Sequence, residues 1–354
     1  MTAGPDPAAR LAAFAGSHLL LLDAELEPHD VISLLRNIRP QLPAGEPVPG
    51  EGAVRSHRIT RHSQLVGPFP ADAELAAGLG LPPGTAALYA LECPRDREPV
   101  PPPAWLPDVD GLLAAFPAGL PCREEGRVLD ELIAIARRLG LAIRLADEPA
   151  AAPEEEAAEA QAGPGARAAA SVPRASGQPP RLLRPDPALT PNLFVYSEYW
   201  LDPAVLLARV ARTVPQARLP RPPAPRAHIP DAQALGTGLS PDDPVVLDGY
   251  AIEVPLEDEL GPRAGRIEIQ VTLETHLPTV IRAHSAASEQ IVYSVLWQDA
   301  EGLGRLPTAD PAFAELRARA VRVLERCAQT IMHAVAGAGV DEAGFLVSAQ
   351  QLGD

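Results

Sequence analysis

The sequence predicts an α+β protein of two structurally related units, an internal duplication in which each unit is an antiparallel sheet with two helices packed on it and the second unit has the larger sheet. Three observations predict it. Segments recur in the same order in the two halves of the 354-residue chain. Each half moves from apolar stretches of strand length into stretches of helical period. Between the halves, EPAAAPEEEAAEAQAGPGARAAASVPRASGQPP (148–180) has no aromatic residue and little to bury, which makes it a flexible Ala/Pro/Glu-rich linker, helical at most around 153–162. The expected units are residues 1–147 and 181–354, the second with an extra strand insertion at about 256–296. Chains of this size bury about 70% of their unfolded surface, so neither unit needs a disulfide or a metal to fold.

The recurrence rests on several matches. LLLLDAELEPHDVISLLRNIRPQL (19–42) aligns without a gap to FVYSEYWLDPAVLLARVARTVPQA (194–217), setting Pro28 on Pro203 and Pro40 on Pro215. FPADAELAAGLGLPP (69–83) answers IPDAQALGTGLSP (229–241), and YALECP (89–94) answers YAIEVP (250–255). WLPDVDGLLAAFP (105–117) and RVLDE (127–131) answer WQDAEGLGRLP (297–307) and RVLER (322–326).

Each element has a local cause. The apolar runs that open the two units are strands. The helices that follow show one apolar face each, through Val31, Leu34, Leu35 and Ile38 in one and Leu207, Val210, Ala211 and Val214 in the other. Asp202-Pro203 and Asp310-Pro311 supply a capping side chain followed by a first-turn proline. The closing helices bury Val128, Leu132, Ile135, Ala136 and Leu139, and Leu316, Ala320, Val323, Cys327 and Ile331; Gly140 and Gly337 stand where a left-handed stop is cheap. LAIRLAD and FLVSA are the last strands. RIEIQVTLE (266–274) alternates throughout, with Ile267, Ile269, Val271 and Leu273 on one face and polar side chains on the other, so it is an antiparallel strand with one wet face. SHRITRHSQLVG (56–67) is an edge strand of the first unit, and RLPRPPAPRAHIP (218–230) is extended surface chain.

Composition removes whole classes of chemistry. All 30 cationic residues are arginine. Without lysine there is no phosphate-loop lysine, no Schiff base and no kinase-type lysine. The net charge of −16, acidic in both halves, repels phosphate backbones, so no nucleic-acid partner is expected. Cys93, Cys122 and Cys327 are odd in number and far apart, which reads as reduced thiols in a cytoplasmic protein. The N-terminus carries no signal-like segment and no apolar run spans a bilayer, so no membrane partner is expected. GLGLPPG (78–84) is a poor phosphate loop because prolines interrupt it and it precedes a strand. No GxSxG, HxH, HExxH or CxxC spacing occurs, so neither a cofactor nor a metal is implied and catalytic residues stay unknown.

The candidate binding residues lie on or beside the wet strand of the second unit: Glu268, Glu274, His276, Arg282, His284 and Glu289. If the SAAS segment turns a hairpin, His284 and Glu289 become cross-strand neighbours able to move a proton or hold a metal. RSHRITRH (55–62) offers three arginines and two histidines for a local anion contact, or guards a sheet edge with charge. Tyr196, Tyr199, Trp200, Tyr250, Tyr293 and Trp297 are expected to fill the second core. The stretch DAELAAGLGLPPGTAALYALE (72–92), with REPV and WLP after it, resembles the UTRA effector-binding domain of GntR-type transcription regulators, in which a helix, a Gly-Leu-Pro turn and a strand follow in this order. That resemblance implies a small-molecule-responsive regulator.

The functional expectation is a non-enzymatic binding protein that engages a protein partner or small molecule through the second unit's sheet face or the groove between units, as chaperones, immunity factors and sensors do. The alternatives are a hydrolase-type enzyme using Glu/His pairs of that sheet, and the regulator implied by the resemblance.

Overall fold

The computed structural model describes residues 7–147, 181–220 and 249–352. The linker reading over 148–180 and the segment 229–241 lie outside the described residues, as does most of the proline-rich run. The chain forms two compact units, Met1–Pro187 and Ala188–Asp354.

The first unit runs α1 (Pro7–Ala15), β1 (His18–Leu22), α2 (Pro28–Ile38), β2 (Glu46–Pro47), β3 (Arg55–Arg58), β4 (Gln64–Pro70), α3 (Ala73–Leu79), β5 (Ala87–Glu92), α4 (Leu112–Ala115), α5 (Arg123–Leu139), β6 (Ala142–Arg144) and β7 (Leu182–Leu183). Its sheet is antiparallel throughout, in the order β2-β3-β4-β5-β1-β6-β7. Because β7 pairs with β6, residues just past 180 complete the first sheet. The second unit runs β8 (Leu193–Ser197), α6 (Pro203–Ala211), β9 (Gly249–Pro255), α7 (Glu257–Leu260), β10 (Arg266–Glu274), α8 (Thr279–His284), β11 (Gln290–Gln298), α9 (Pro311–Val335), β12 (Ala338–Asp341) and β13 (Leu346–Val347). Its antiparallel order is β13-β12-β8-β11-β10-β9.

Read from β9, the second order superimposes on the first from β3 onward: β9, β10, β11, β8, β12 and β13 take the places of β3, β4, β5, β1, β6 and β7. The helices follow suit, with α6, α8 and α9 inserted where α2, α3 and α5 are. The two units therefore share one topology. The hexamer match, however, is misplaced. Tyr89 lies opposite Leu20 and Tyr293 lies opposite Val195, so the counterpart of Tyr89 is Tyr293 in β11; Tyr250 is two strands away in β9. Nor does the second unit gain strands, since β9 and β10 already have partners in β3 and β4. It has six strands against seven, and its sheet is larger only in strand length, with β10 and β11 at nine residues each.

Why the hexamers look alike has a physical answer. In each strand the tyrosine reaches the chain near the start of the helix that follows β1 or β8. The Tyr89 hydroxyl donates to the Pro28 carbonyl at 3.0 Å, and the Tyr250 hydroxyl donates to the Leu201 carbonyl. Tyr293 makes the corresponding tie in the second unit, donating to the Tyr199 carbonyl at 2.8 Å and accepting the Leu201 N–H at 3.0 Å. Tyr293→Phe leaves that carbonyl and that N–H without a partner. It is expected to cost about 1–3 kcal/mol, read by urea unfolding; an unchanged midpoint would mean that water replaces the hydroxyl.

The helices are where periodicity placed them. Asp310 caps α9 by accepting the Ala312 N–H, Pro311 opens it, and Ala320, Val323, Cys327 and Ile331 are buried. Gly140 ends α5 in the left-handed region at φ 66°, but α9 is ended by Ala336 at φ 46°. Gly337 is wanted for space instead: a Cβ there would sit 2.6 Å from Val195 Cγ1. In the second unit, α6 and α9 cover the face carrying Ile252, Ile267, Ile269, Val271, Tyr293 and Val295. Among the described residues, no helix is long and apolar enough to cross a membrane.

Candidate functional site

The alternation of RIEIQVTLE places Ile267, Ile269 and Val271 in the core, while Leu273, one row further, is 52% exposed. The opposite face is polar, and α8 covers only part of it, packing Val280 and Ile281 on Tyr196, Val292 and Val340. The hairpin expected around SAAS is absent because residues 279–284 form this helix. Leu277, Val280 and Ile281, spaced three and four apart, form the apolar stripe by which this segment covers the sheet.

The six predicted residues are consequently dispersed. Glu268 lies in mid-strand, whereas Glu274 is six residues away, about 20 Å along β10. His276 approaches Glu274 at 3.6 Å but is almost wholly exposed. Arg282 bonds Thr279 within α8, and His284 Nδ1 is held by the Val280 carbonyl at 2.8 Å. Glu289 precedes β11 and is exposed. Among the described residues, no histidine is paired with Glu268.

What surrounds Glu268 is a different set. Glu253 of β9 stands directly opposite it in register. Like charges in that position repel. Arg266 bridges them, 3.8 Å from each, and Arg218 adds a contact of 3.5 Å to Glu253. The Gln270 and Gln298 amides each donate to one Glu268 oxygen at 2.8 Å, which fixes the carboxylate. Together with Pro220 these four charged residues line a cleft of about 400 Å³ on the part of the face that no other described residue covers. Sequence reasoning passed over Glu253 and Arg218. Period-two reading of YAIEVP puts Glu253 on the polar side, but only strand pairing sets it against Glu268.

The first unit holds a second constellation that no motif announced. His18, 0% exposed at the start of β1, meets Glu125, 0% exposed in the first turn of α5, with Nε2 to Oε1 at 3.0 Å. Arg95 and Arg97 also bind the Glu125 carboxylate, as does the Asp96 N–H at 2.8 Å. Burial alone would raise the Glu125 pKa, but hydrogen bonds from His18, Arg97, Arg95 and the Asp96 amide outweigh it and hold the carboxyl well below the usual range. His18 is lowered to about 4, chiefly by burial. Nδ1 accepts the Ala146 N–H at 3.3 Å, which assigns the ring proton to Nε2, where Glu125 accepts it and the Arg95 guanidinium lies alongside.

Cys93 completes the group geometrically, its sulfur lying within 4.8 Å of the ligand atoms of His18 and Glu125. Two chemistries could use such a group. A nucleophilic Cys-His-Glu set needs a histidine nitrogen turned to the thiol, yet both nitrogens are engaged elsewhere and burial pushes the Cys93 thiol up to about 11. A metal centre needs free carboxylate oxygens, yet two guanidiniums occupy them. The cluster is a satisfied core ion group.

Of the predicted aromatic core, Tyr196, Tyr293 and Trp297 are buried, whereas Tyr199 is 63% and Trp200 41% exposed. Gly80 turns the chain between α3 and β5, giving the helix-turn-strand order on which the regulator resemblance rests. No family model, curated protein or solved structure matches the chain, the resembled regulator domain included.

Proposed function

We propose that this is a non-enzymatic binding protein of the cytoplasm, which takes a charged polypeptide segment of a partner on the open half of the second unit's polar face. One observation carries the reading: two opposed glutamates and two arginines meet in a single cleft through ion pairs of 3.5–3.8 Å, too long for hydrogen bonds. A partner that brings one cation and one carboxylate exchanges these loose contacts for closer ones at little desolvation cost. Arg218 and Arg266 are about half exposed, while Glu268 is held by two amides and Arg266 donates to the Gln298 amide oxygen at 2.9 Å, so the Glu268 side of the cleft is preorganised. The free thiols fit a reducing compartment.

The test is an amide chemical-shift titration of the full chain with hexapeptides alternating arginine and glutamate. Shifts are expected to concentrate at 251–255 and 266–270 and to weaken about tenfold in Glu253→Gln/Glu268→Gln. Saturation at unrelated residues, or unchanged affinity in the double variant, rejects the cleft as the site.

A further inference from the structure

The first unit offers a site independent of that cleft, at the turn between β3 and β4. We propose that this turn forms a binding pocket for a small organic phosphate, held by the guanidinium groups of Arg58 and Arg61 with the His62 ring and the Gln64 amide beside them. The pocket has a volume of about 410 Å³, within the range of small-ligand sites. Glu92 and Cys93 complete the wall.

Four observations carry the assignment. First, Arg58, Arg61 and His62 line the pocket and, among the described residues, make no ion pair. Gln64 stands between Arg58 and Glu92 in one cross-strand row and takes the Glu92 carboxylate itself, donating at 2.6 Å. Arg58 and Glu92 are therefore two strands, about 10 Å, apart. Second, cationic charge is concentrated around this hairpin. Arg55, Arg58, Arg61 and His62 fall within residues 55–62, a stretch that holds no acidic residue. Third, the turn is pinned. Thr60 and Ser63 donate their hydroxyls to Glu124 at the start of α5, the Ser63 bond at 2.6 Å, and Thr60 Oγ1 accepts the His62 and Ser63 N–H groups at 3.1 Å. An anion there meets donors already placed, without ordering a loop. Fourth, guarding a sheet edge does not account for Arg61 and His62, which belong to the turn, where there is no ladder to guard.

Two guanidiniums on one pocket suit a phosphate dianion, which accepts bidentate hydrogen bonds from each. Glu92 at the wall accepts a hydroxyl or amine of the ligand body, which favours a phosphorylated polar molecule over a bare anion.

The experiment is calorimetric titration of the full chain with ribose 5-phosphate and, separately, inorganic pyrophosphate. Saturable one-to-one binding is expected for both. It should weaken at least about tenfold in Arg58→Gln/Arg61→Gln, where two charge-assisted contacts are lost, and hold in Arg209→Gln/Arg212→Gln, which removes the same charge from α6 and the residue after it. All four arginines are surface residues, and a melting curve of each double variant checks folding. No saturation up to millimolar ligand overturns the proposal, and so does an equal loss in both double variants, which would mean general charge attraction only.

Discussion

Replacing Glu125 with glutamine is expected to destabilise the first unit by about 3 kcal/mol, more than any surface substitution in the chain. The carboxylate is wholly buried and receives donors from His18, Arg95, Arg97 and the Asp96 backbone. Glutamine keeps the shape but removes the charge, leaving two guanidiniums facing an amide that accepts at one atom instead of two. The loss sits at the low end of the range for broken buried pairs, about 3–5 kcal/mol, because the Arg95 and Arg97 side chains are 32% and 27% exposed and reach water in part. Two units need not unfold together, so the appropriate measurement is hydrogen exchange at β1 and α5. Protection there should fall while β10 and β11 are unchanged. Unaltered protection at β1 would show that the cluster contributes nothing net to folding.

Acidification is expected to produce the second large effect, through His18. Its folded pKa is about 4 against 6.5 for the free side chain, so between these values the unfolded chain binds the proton and the folded chain does not. Stability is therefore complete above about pH 6.5 and falls as the pH drops toward 4, by on the order of 3 kcal/mol. Glu125 acts in the same sense at lower pH: its depressed pKa supplies stability above the ordinary carboxylate range, lost once the buried group protonates. His18→Gln keeps a donor and an acceptor but does not titrate. It should flatten the pH dependence of exchange at β1 between pH 6.5 and 4, whatever it does to stability at pH 7. A slope identical to that of the parent would assign the effect to other groups.

Both predictions concern residues that the linear reading did not single out, and the reason is geometric. His18 and Glu125 are more than a hundred positions apart, and each alone resembles an ordinary polar residue at the end of a strand or in the first turn of a helix. Only the placement of α5 on β1 joins them. The predicted residues Glu274, His276, Arg282, His284 and Glu289 fail to assemble around Glu268 for the converse reason: they are close in sequence but spread along a strand and onto a helix. The same limit explains the hexamers. YALECP and YAIEVP obey one local rule, a tyrosine and aliphatic side chains on the buried face, and nothing in six letters states which strand is the neighbour. Arg58, Arg61 and His62 were visible as a cluster, but the turn that gathers them into a pocket was not.

By itself the sequence determined what is local: the strand and helix periods, the capped start of α9, the glycine stop of α5, and the wet and dry faces of β10. Only the tertiary structure decided what depends on partners: that β11 and not β9 answers β5, that α8 closes half of a sheet face, and that Glu253 meets Glu268 while His18 meets Glu125. The physical reason is that a side-chain period of two or 3.6 states which way a residue points, whereas hydrogen-bond register and helix docking are settled by contacts between segments far apart in the chain.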